Sequence, residues 1–226
     1  MRWLDAIGLL SGVRSVRRRL DPDSEAMQFP SYARDVAGWV QQSGDPARYS
    51  SLALAIRSLE REAIAGSFAE VGVWRGTTSR FLMRCAPERR LHLFDTFEGF
   101  AQEDREPENR NDSRFQDTSE AMVCERLGAS PNVLIHKGHF PGTAATLGDE
   151  RFAFVLLDLD VHAPTLAGLQ LFYPRLVAGG YCFVHDFNNP ESHWACRRAL
   201  TEFLADKPER LIELPDKWGS AVFRKA

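Results

Sequence analysis

Alternating strand and helix patterns run from about residue 50 onward and restrict the possible folds more than any other feature of the chain. Residues 152–158, Phe-Ala-Phe-Val-Leu-Leu-Asp, form a nearly continuous apolar run. Such a run is typical of a central strand that is buried on both faces of a parallel sheet. The helices between strands then cover both faces of that sheet. The pattern therefore predicts a doubly wound α/β fold.

The spacing of apolar residues predicts the individual elements. Strands are predicted at residues 68–73, 91–95, 133–136, 152–158, 181–184, 210–214 and 220–224. Helices are predicted at residues 51–65, 77–85, 164–176 and 193–205. Residues 215–219 alone separate the last two strands, whereas a parallel pair needs about a dozen connecting residues or more. We therefore expect a mostly parallel seven-stranded sheet with an antiparallel C-terminal strand.

The N-terminal part of the chain has a different pattern. Residues 3–20 carry apolar side chains at helical spacing and end in the basic cluster Arg17, Arg18 and Arg19. Such a helix can pack on its own domain, pack on a second subunit in a homodimer, or lie on an anionic membrane surface. We assign residues 1–48 to an N-terminal helical extension or substrate cap, and residues 49–226 to the main domain.

Composition argues against several classes of partner. The 28 basic and 31 acidic residues give a formal net charge of −3, so nucleic acid is not an expected partner. No stretch approaches the roughly 18–20 apolar residues of a transmembrane helix, so no membrane span is expected. The four cysteines have no CxxC spacing, which argues against a zinc ribbon and favours reduced thiols in a cytoplasmic protein.

The first predicted strand runs into its helix through Glu70-Val-Gly72-Val-Trp-Arg-Gly76. Glycines at such a turn let the backbone approach a ligand closely, and N–H groups at the helix start favour negative charge. The spacing differs from the dinucleotide motif G-x-G-x-x-G, because an acidic residue ends the strand. A carboxylate there suits a ligand with positive charge, such as a sulfonium amino acid. The alternative is that the glycines only form a tight turn.

Asp95 ends the second predicted strand, 25 residues after Glu70. An acidic residue at this place commonly accepts hydrogen bonds from a ribose diol. The alternative is that Asp95 caps the turn that begins with Thr96. Together with the Glu70 segment, Asp95 favours a nucleoside ligand.

Polar residues also follow the two most apolar central strands. Asp158 and Asp160 follow one strand, and His185 and Asp186 follow the next. If these strands are neighbours, their ends lie about 5 Å apart. The alternation of side chains along a strand predicts that Asp158 and Asp160 point the same way if the strand persists. It predicts that His185 and Asp186 point to opposite faces.

The chemistry of these residues favours a metal site. Asp158 and Asp186 can converge on one hard cation, with His185 as a further ligand. Carboxylates that repel one another at a sheet edge are relieved by a divalent ion. Most ligands would be oxygens, so Mg²⁺ is expected rather than zinc. The alternative is that these acids cap helices, as Asp160 would do before the predicted helix at 164–176.

Two further features have both a functional and a structural interpretation. His139 follows the third predicted strand and is either a general base, a substrate contact or a structural residue. Residues 101–119 are densely charged and lack periodicity. A long segment of this kind is either a lid over a functional site or a solvated loop.

Taken in order, these segments resemble the macrocin O-methyltransferase family. The motifs that carry the resemblance include Phe68-Ala-Glu-Val-Gly-Val-Trp-Arg-Gly76, Leu93-Phe-Asp-Thr-Phe-Glu-Gly-Phe100, Leu157-Asp-Leu-Asp-Val161 and Phe183-Val-His-Asp-Phe-Asn188. Together with residues 49–56, 137–143 and 172–182, they spread the resemblance over residues 49–205. One departure concerns His185-Asp186, because sugar-modifying members of the family carry two adjacent aspartates there. An imidazole in place of a carboxylate weakens Mg²⁺ binding.

The resemblance implies a Rossmann-like class I methyltransferase that uses S-adenosyl-L-methionine and Mg²⁺ and methylates hydroxyls of antibiotic sugars. It implies a metal site at Asp158 and Asp186, with His185 between them in the chain. Catalysis would involve Asp158 or Asp160, with His139 as the second candidate base. The cofactor-binding residues implied are Glu70, Gly72, Val73, Trp74, Gly76, Ser79, Asp95 and Thr96.

The sequence therefore predicts an O-methyltransferase that acts on a small-molecule or saccharide acceptor. Two alternatives stay open. A nicotinamide-dependent Rossmann oxidoreductase would share the early fold, although it would normally carry G-x-G-x-x-G. A non-catalytic scaffold would keep the nucleoside pocket without the chemistry, and the His185 departure keeps that alternative open.

Overall fold

The computed structural model describes residues 34–107 and 110–226. The chain divides into two compact units, Met1–Pro46 and Ala47–Ala226. In the first unit, the described helix is α1 (Arg34–Gln42). The helix predicted at residues 3–20 lies outside the described residues. Within the ranges that are described, no helix combines the length and apolar character needed to cross a bilayer.

The strands of the second unit form one mixed sheet. They are β1 (Ser67–Val71), β2 (Leu91–Asp95), β3 (Val133–Lys137), β4 (Phe152–Leu157), β5 (Leu176–Val184), β6 (Ile212–Leu214) and β7 (Ser220–Arg224). Their order is β3-β2-β1-β4-β5-β7-β6. Neighbours from β3 to β5 are parallel, whereas β7 is antiparallel to both β5 and β6. The predicted fold class, including its antiparallel C-terminal pair, is confirmed.

Five further helices accompany the sheet in the described residues. They are α2 (Pro46–Arg61), α3 (Thr77–Cys85), α4 (Glu120–Leu127), α5 (His162–Phe172) and α6 (Ala195–Leu204). The sequence patterns did not predict α4, because Val123 is its one buried residue and a single apolar contact leaves no periodic signal. Its start nevertheless has a local cause, since the Ser119 hydroxyl accepts a hydrogen bond from the Met122 N–H at 3.1 Å.

Strand β5 is longer than predicted. The predicted strand began at Tyr181, after Gly179 and Gly180, but both glycines lie inside β5. The register between β4 and β5 shifts between Phe152 and Phe154, and Gly179 has a φ of 80°. A glycine in this conformation accommodates an irregular strand, so the pair marks a distortion and not a turn.

Strand β4 lies at the centre of the core. All six of its residues, Phe152–Leu157, are buried. The Phe152 ring packs edge-on against Phe172 of α5 at 5.0 Å between centroids, and Phe154 packs against Phe68 of β1 at 5.2 Å. Each buried phenylalanine of this kind contributes about 1.5–3 kcal/mol through removal from water. This rigid strand fixes the position of the residues that follow it, Asp158 and Asp160.

A pair of histidines lies within the sheet on β2 and β3. The His92 and His136 rings stack with 5.2 Å between centroids, and His92 Nδ1 lies 3.0 Å from His136 Nε2. His92 Nε2 is buried without a hydrogen-bond partner, and the Glu150 carboxylate lies 4.0 Å from it. Burial, reinforced by His136, lowers the pKa of His92 to about 4. Burial also lowers the pKa of His136.

This pair predicts a loss of stability in mild acid. Because the pKa of His92 is lower in the folded state than in the unfolded chain, the unfolded chain binds more protons between about pH 6.5 and pH 4. The free energy of unfolding should therefore fall by about 1–2 kcal/mol from this group as pH decreases through that window. Urea unfolding of the wild type and of His92→Phe at about pH 7.5 and pH 5 measures the difference.

The exposed His193 provides a matched control, because His193→Asn should keep the wild-type pH dependence. If His92→Phe loses as much stability as the wild type between the two pH values, the assignment to His92 is wrong.

Candidate functional site

A cavity of about 300 Å³ opens at the carboxyl ends of β1, β2 and β4. The strand order reverses between β1 and β4, which is where ligands bind in open α/β sheets. Six of the predicted cofactor-binding residues line this cavity: Glu70, Gly72, Val73, Trp74, Asp95 and Thr96. Asp158, Asp160 and His139 line it as well.

Glu70 lies at the end of β1 and is 1% exposed. Burial raises the pKa of its carboxyl group to about 8. The Ser79 hydroxyl of α3 donates a hydrogen bond of 2.5 Å to Glu70 Oε2. Ser79 is fully buried behind Glu70 and does not line the cavity, so it orients the carboxyl group. A cationic ligand group beside Glu70 would favour the ionised form and offset the cost of burial.

The two glycines of the β1–α3 turn serve close packing around the cavity. Gly72 has a φ of 90°, and a Cβ there would lie 1.9 Å from the Asp158 carbonyl oxygen. Gly76 has a φ of 72° and precedes α3; a Cβ there would lie 3.1 Å from the Val123 side chain. Gly76 does not line the cavity. Gly76 would therefore affect binding of the ligand only indirectly, because it shapes the turn.

Asp95 holds the backbone of the turn. Its Oδ2 accepts hydrogen bonds from the N–H groups of Val73 at 2.6 Å and Trp74 at 2.8 Å. Its Oδ1 accepts a third bond from the Phe97 N–H at 2.6 Å. Asp95 therefore makes the kind of contact with backbone N–H groups that was expected if it caps the turn beginning with Thr96. A carboxylate has about four acceptor sites, and Oδ1 accepts only one of these three bonds, so Oδ1 keeps capacity for a further donor and a ribose contact remains a prediction.

An acidic cluster with one histidine lies where β4 and β5 end side by side. His185 Nδ1 lies 3.0 Å from Asp158 Oδ1 and 2.7 Å from Asp186 Oδ2. The Asn189 amide donates to Asp186 Oδ1 at 2.9 Å. One ligand atom from each of Asp158, His185 and Asp186 lies within 4.8 Å of the others. The residues predicted as metal ligands are therefore adjacent.

One prediction about this cluster is wrong. His185 and Asp186 were expected on opposite faces of the sheet, yet their side chains are in contact. The reason is that β5 ends at Val184 and Asp186 has a φ of 56°, in the left-handed region. The strand alternation stops before these residues, and the turn brings both side chains to the same edge.

Asp160 also departs from the strand geometry. Strand β4 ends at Leu157, and Asp160 has a φ of 60° in a tight turn closed by a hydrogen bond of 2.7 Å from the Val161 N–H to the Leu159 carbonyl. Its carboxyl group is buried and lies 3.6 Å from Arg114 Nη2. Burial, together with the charges of Asp186 and Asp158, raises the pKa of Asp160 well above its usual value.

Arg48 is a site residue that the sequence analysis missed. Its guanidinium, from the first turn of α2, donates to Asp158 Oδ2 with 2.5 Å between Nη2 and the oxygen. Burial disfavours the Asp158 carboxylate, but Arg48 and His185 outweigh it and hold the pKa of Asp158 well below its usual value. Although burial opposes its charge, His185 has its pKa raised to about 10 by Asp158 and Asp186. A single arginine at the start of a helix carries no motif that would have revealed this contact.

The charged segment 101–119 forms one wall of the cavity over its described part. Phe100, which precedes it, and Phe115 line the cavity with Ala101 and Asp104. The Trp74 indole N–H donates to Asp117 at 2.7 Å, and its ring packs edge-on against Phe115 at 5.6 Å. These contacts favour the lid interpretation over a fully solvated loop.

His139 connects that segment to the strand side of the cavity. Its Nε2 lies 2.8 Å from Asp104 and its Nδ1 lies 3.2 Å from Glu103. Both ring nitrogens therefore face acidic side chains of the segment 101–119. Its role as a base stays a prediction, behind Asp158 and Asp160.

Comparison with known proteins adds a family and a fold. The macrocin O-methyltransferase (TylF) family model matches residues 42–219. The chain is 29% identical to mycinamicin III 3''-O-methyltransferase from Micromonospora griseorubida, over 69% of this chain and 67% of that protein. It is 26% identical to 8-demethyl-8-(2,3-dimethoxy-alpha-L-rhamnosyl)-tetracenomycin-C 4'-O-methyltransferase from Streptomyces olivaceus, over 81% of this chain and 72% of that protein. The solved O-methyltransferase NovP has a TM-score of 0.68 at 23% identity, over 80% of both chains, and so has the same fold.

Proposed function

The chain belongs to the macrocin O-methyltransferase family, and we propose that it transfers the methyl group of S-adenosyl-L-methionine to a hydroxyl of a sugar or glycosylated natural product. Both related proteins are named O-methyltransferases, and the name of the second includes a dimethoxy-rhamnosyl group, which supports a saccharide acceptor. The observation that carries the proposal is that the buried Glu70, Asp158 and Asp160 all line one cavity. Membership of this family argues against the oxidoreductase alternative.

The residues around the β1–α3 turn would bind the cofactor. Glu70 would face the amino group or the sulfonium of the methionyl end, because a buried carboxyl group prefers a cationic neighbour. Asp95 would accept a hydrogen bond from the ribose while it holds the N–H groups of Val73 and Trp74. The Trp74 ring, packed on Phe115, would close the cavity beside the nucleoside. Holding the two reactants in this way would lower the activation barrier for direct methyl transfer by roughly several kcal/mol.

The residues at the ends of β4 and β5 fit a divalent cation. Asp158, His185 and Asp186 each offer a donor atom, and Asn189 orients Asp186 from behind. Two carboxylates favour Mg²⁺, whereas the imidazole makes the set less selective for it. When bound, the cation would polarise an acceptor hydroxyl as a Lewis acid. Arg48 would keep Asp158 ionised and oriented.

Asp160 would accept the proton of the acceptor hydroxyl. Asp160 lines the cavity, whereas the two carboxylate oxygens of Asp158 contact Arg48 and His185. S-adenosyl-L-methionine, when bound, would supply the methyl group: a C–O bond would form to the acceptor oxygen as the methyl C–S bond breaks, leaving S-adenosylhomocysteine. Asp160 would take the proton that the hydroxyl loses. A carboxylate in a low-dielectric site with Arg114 nearby suits this role. Asp158 is the second candidate for the base.

A binding and turnover experiment tests the proposed function. Calorimetry should detect S-adenosylhomocysteine binding and no NAD(P) binding. A panel of nucleotide-linked and glycosylated acceptors, assayed with radiolabelled cofactor, should then show methyl transfer. Excess EDTA should reduce that transfer by about tenfold or more. Cofactor binding without transfer to any acceptor, across the panel, would favour the scaffold alternative, and full turnover in EDTA would remove the metal from the proposal.

His185 predicts a measurable weakness in Mg²⁺ binding. Replacing the imidazole with a carboxylate in His185→Asp should strengthen Mg²⁺ binding by about tenfold, because Mg²⁺ prefers oxygen ligands. Mn²⁺ affinity should change less, which titration followed by electron paramagnetic resonance can measure. Asn188→Asp adds a carboxylate on the neighbouring loop, outside the proposed ligand set, and should change Mg²⁺ affinity less than about threefold. Equal gains in both variants would mean that general electrostatics, and not ligation, governs the site.

A further inference from the structure

Two tryptophans, which we call the indole pair, expose almost half of their surface near the end of β5. Trp194 directly precedes α6 and is 46% exposed, and Trp218 lies in the turn between β6 and β7 and is 47% exposed. Neither of them lines the cavity. Large aromatic side chains gain free energy when they leave water, so neighbouring exposed indoles indicate a surface that binds a ligand or partner.

One loop holds the backbone of both tryptophans. The loop of residues 186–189 follows β5 and begins with one of the proposed metal ligands. The Asn188 N–H donates to the Trp218 carbonyl at 2.9 Å, and the Trp194 N–H donates to the Asn189 carbonyl at 3.1 Å. Since those two asparagines are adjacent in the chain, the loop keeps the indole pair together and beside the acidic cluster.

The sheet topology places the indole pair at the edge that holds the proposed catalytic residues. Strand β7 is antiparallel to β5, with Val184 opposite Ala221, so the turn before β7 lies beside the carboxyl end of β5. The segment that leads to Trp194 starts from the same end of β5. Because β4 and β5 are parallel neighbours, Asp160 follows β4 at this edge as well. An acceptor whose hydroxyl lies at Asp160 can therefore extend toward the indole pair.

The backbone of both tryptophans is in the left-handed region. Trp194 has a φ of 54°, Trp218 has a φ of 62°, and His193 has a φ of 50°. Bulky residues rarely adopt this conformation, and the strain persists only where the surrounding structure holds it, often at ligand sites. The strain here leaves the indoles exposed, so packing within the domain does not account for it.

The size of the cavity also requires a surface outside it. A volume of about 300 Å³ is at the lower end of the range for sites that hold one small molecule. The cofactor would occupy much of that volume. A sugar joined to a large second group must then project beyond the cavity wall, along the edge described above.

We propose that Trp194 and Trp218 bind the apolar aglycone of a glycosylated acceptor while the hydroxyl of its sugar reaches the acidic cluster. This inference rests on the proposed function and narrows its acceptor to glycosides with an apolar aglycone. An indole presents a large, rigid apolar face that a flat or aliphatic group can cover. The indole pair thus selects the acceptor and takes no part in the methyl transfer.

The charges next to Trp194 favour an uncharged occupant over a nucleoside diphosphate. Arg198 pairs with Glu106 of the charged segment 101–119 at 2.6 Å. Arg197 lies 3.6 Å from Glu213 of β6. A diphosphate would have to compete with a carboxylate for either arginine, whereas an apolar aglycone disturbs neither pair.

Matched glycosides that differ only in the aglycone test this inference. The probes are the 4-nitrophenyl and methyl α-L-rhamnosides and the 4-nitrophenyl and methyl β-D-glucosides. In calorimetry with saturating S-adenosylhomocysteine and Mg²⁺, the wild type should bind the nitrophenyl member of at least one pair about 5–10-fold more tightly than the methyl member. Trp194→Ala and Trp218→Ala should each lower the nitrophenyl affinity about three- to tenfold and leave the methyl affinity within about twofold.

Ile212 provides the control, because it is 66% exposed and lies on the same hairpin as Trp218, at the far end of β6 from the turn. Ile212→Ala should leave all affinities unchanged. If Trp218→Ala does not fold, Trp218→Leu decides the question, since it keeps an apolar side chain without the flat ring and should still lower the nitrophenyl affinity about twofold or more.

Three results would overturn the inference. They are a wild type without preference for the nitrophenyl member in either pair, equal losses for nitrophenyl and methyl glycosides in the tryptophan variants, and tighter binding of UDP-glucose than of the nitrophenyl glucoside. A wild-type protein that does not bind S-adenosylhomocysteine would contradict the proposed function instead.

Discussion

Replacing Asp160 with asparagine should reduce kcat for methyl transfer by about 10²–10⁴-fold, the range expected when a general base is lost. Asparagine has nearly the same shape but cannot take up the acceptor proton. The affinity for S-adenosylhomocysteine should remain within about threefold of the wild type, because the cofactor contacts proposed for Glu70 and Asp95 are intact. Single-turnover kinetics with labelled cofactor and calorimetry with S-adenosylhomocysteine measure the two quantities.

Asp112 supplies the matched control for this variant. Its carboxylate pairs with Arg114 Nη2 at 2.8 Å, and the same nitrogen lies 3.6 Å from Asp160. Asp112→Asn therefore perturbs Arg114 without removing the proposed base, and it should lower kcat by less than about threefold. Equal losses in the two variants would assign the effect to Arg114. Full activity in Asp160→Asn would mean that Asp158 or His139, and not Asp160, is the base.

The fold was predictable because its causes are local or follow from the lengths of connections. The apolar run at residues 152–158 required a strand buried on both faces, and it is the fully buried β4. The short connection at residues 215–219 required an antiparallel pair, and β6 and β7 form one. Both inferences depend on properties of residues that are close together in the sequence, namely an apolar run and a short connection.

The acidic cluster was predictable only in part. Because β4 and β5 are adjacent, Asp158 and Asp186 had to end near each other. The orientation of the carboxyl groups in this cluster depends on the left-handed backbone conformation of Asp160 and Asp186. No glycine or turn motif in the sequence indicates that conformation. Such strained conformations persist only when the surrounding structure holds them, so they are properties of the whole fold.

The contact between Arg48 and Asp158 could not be predicted from sequence patterns, for a different reason. Arg48 meets Asp158 across 110 positions of sequence. Its contact depends on where α2 packs relative to the end of β4, and not on any spacing within α2. Charged residues that pair over long separations leave no periodic signal, although they decide the electrostatics of the cavity.

The largest expected loss of stability comes from Gly72→Ala. The new Cβ would lie 1.9 Å from the Asp158 carbonyl oxygen, and the residue would keep a φ of 90°. The blocking atom belongs to the backbone and cannot change rotamer as a side chain can. The ends of β1 and β4 must therefore move apart. The free energy of unfolding should fall by about 3–5 kcal/mol, and the cluster at Asp158 should lose its alignment. Urea unfolding measures the first effect, and Mg²⁺ affinity measures the second.

Gly128→Ala separates the two causes of that loss. Gly128 has a φ of 73°, but no atom lies within 4 Å of the position its Cβ would take. This variant therefore reports the cost of a positive φ without a clash, about 1–3 kcal/mol, and should leave Mg²⁺ affinity unchanged. The difference between the two variants is the contribution of close contact between β1 and β4. If Gly72→Ala costs no more than Gly128→Ala, the contact at Asp158 is relieved by a small backbone shift, and the glycine at this turn serves conformation and not the approach of the two strands.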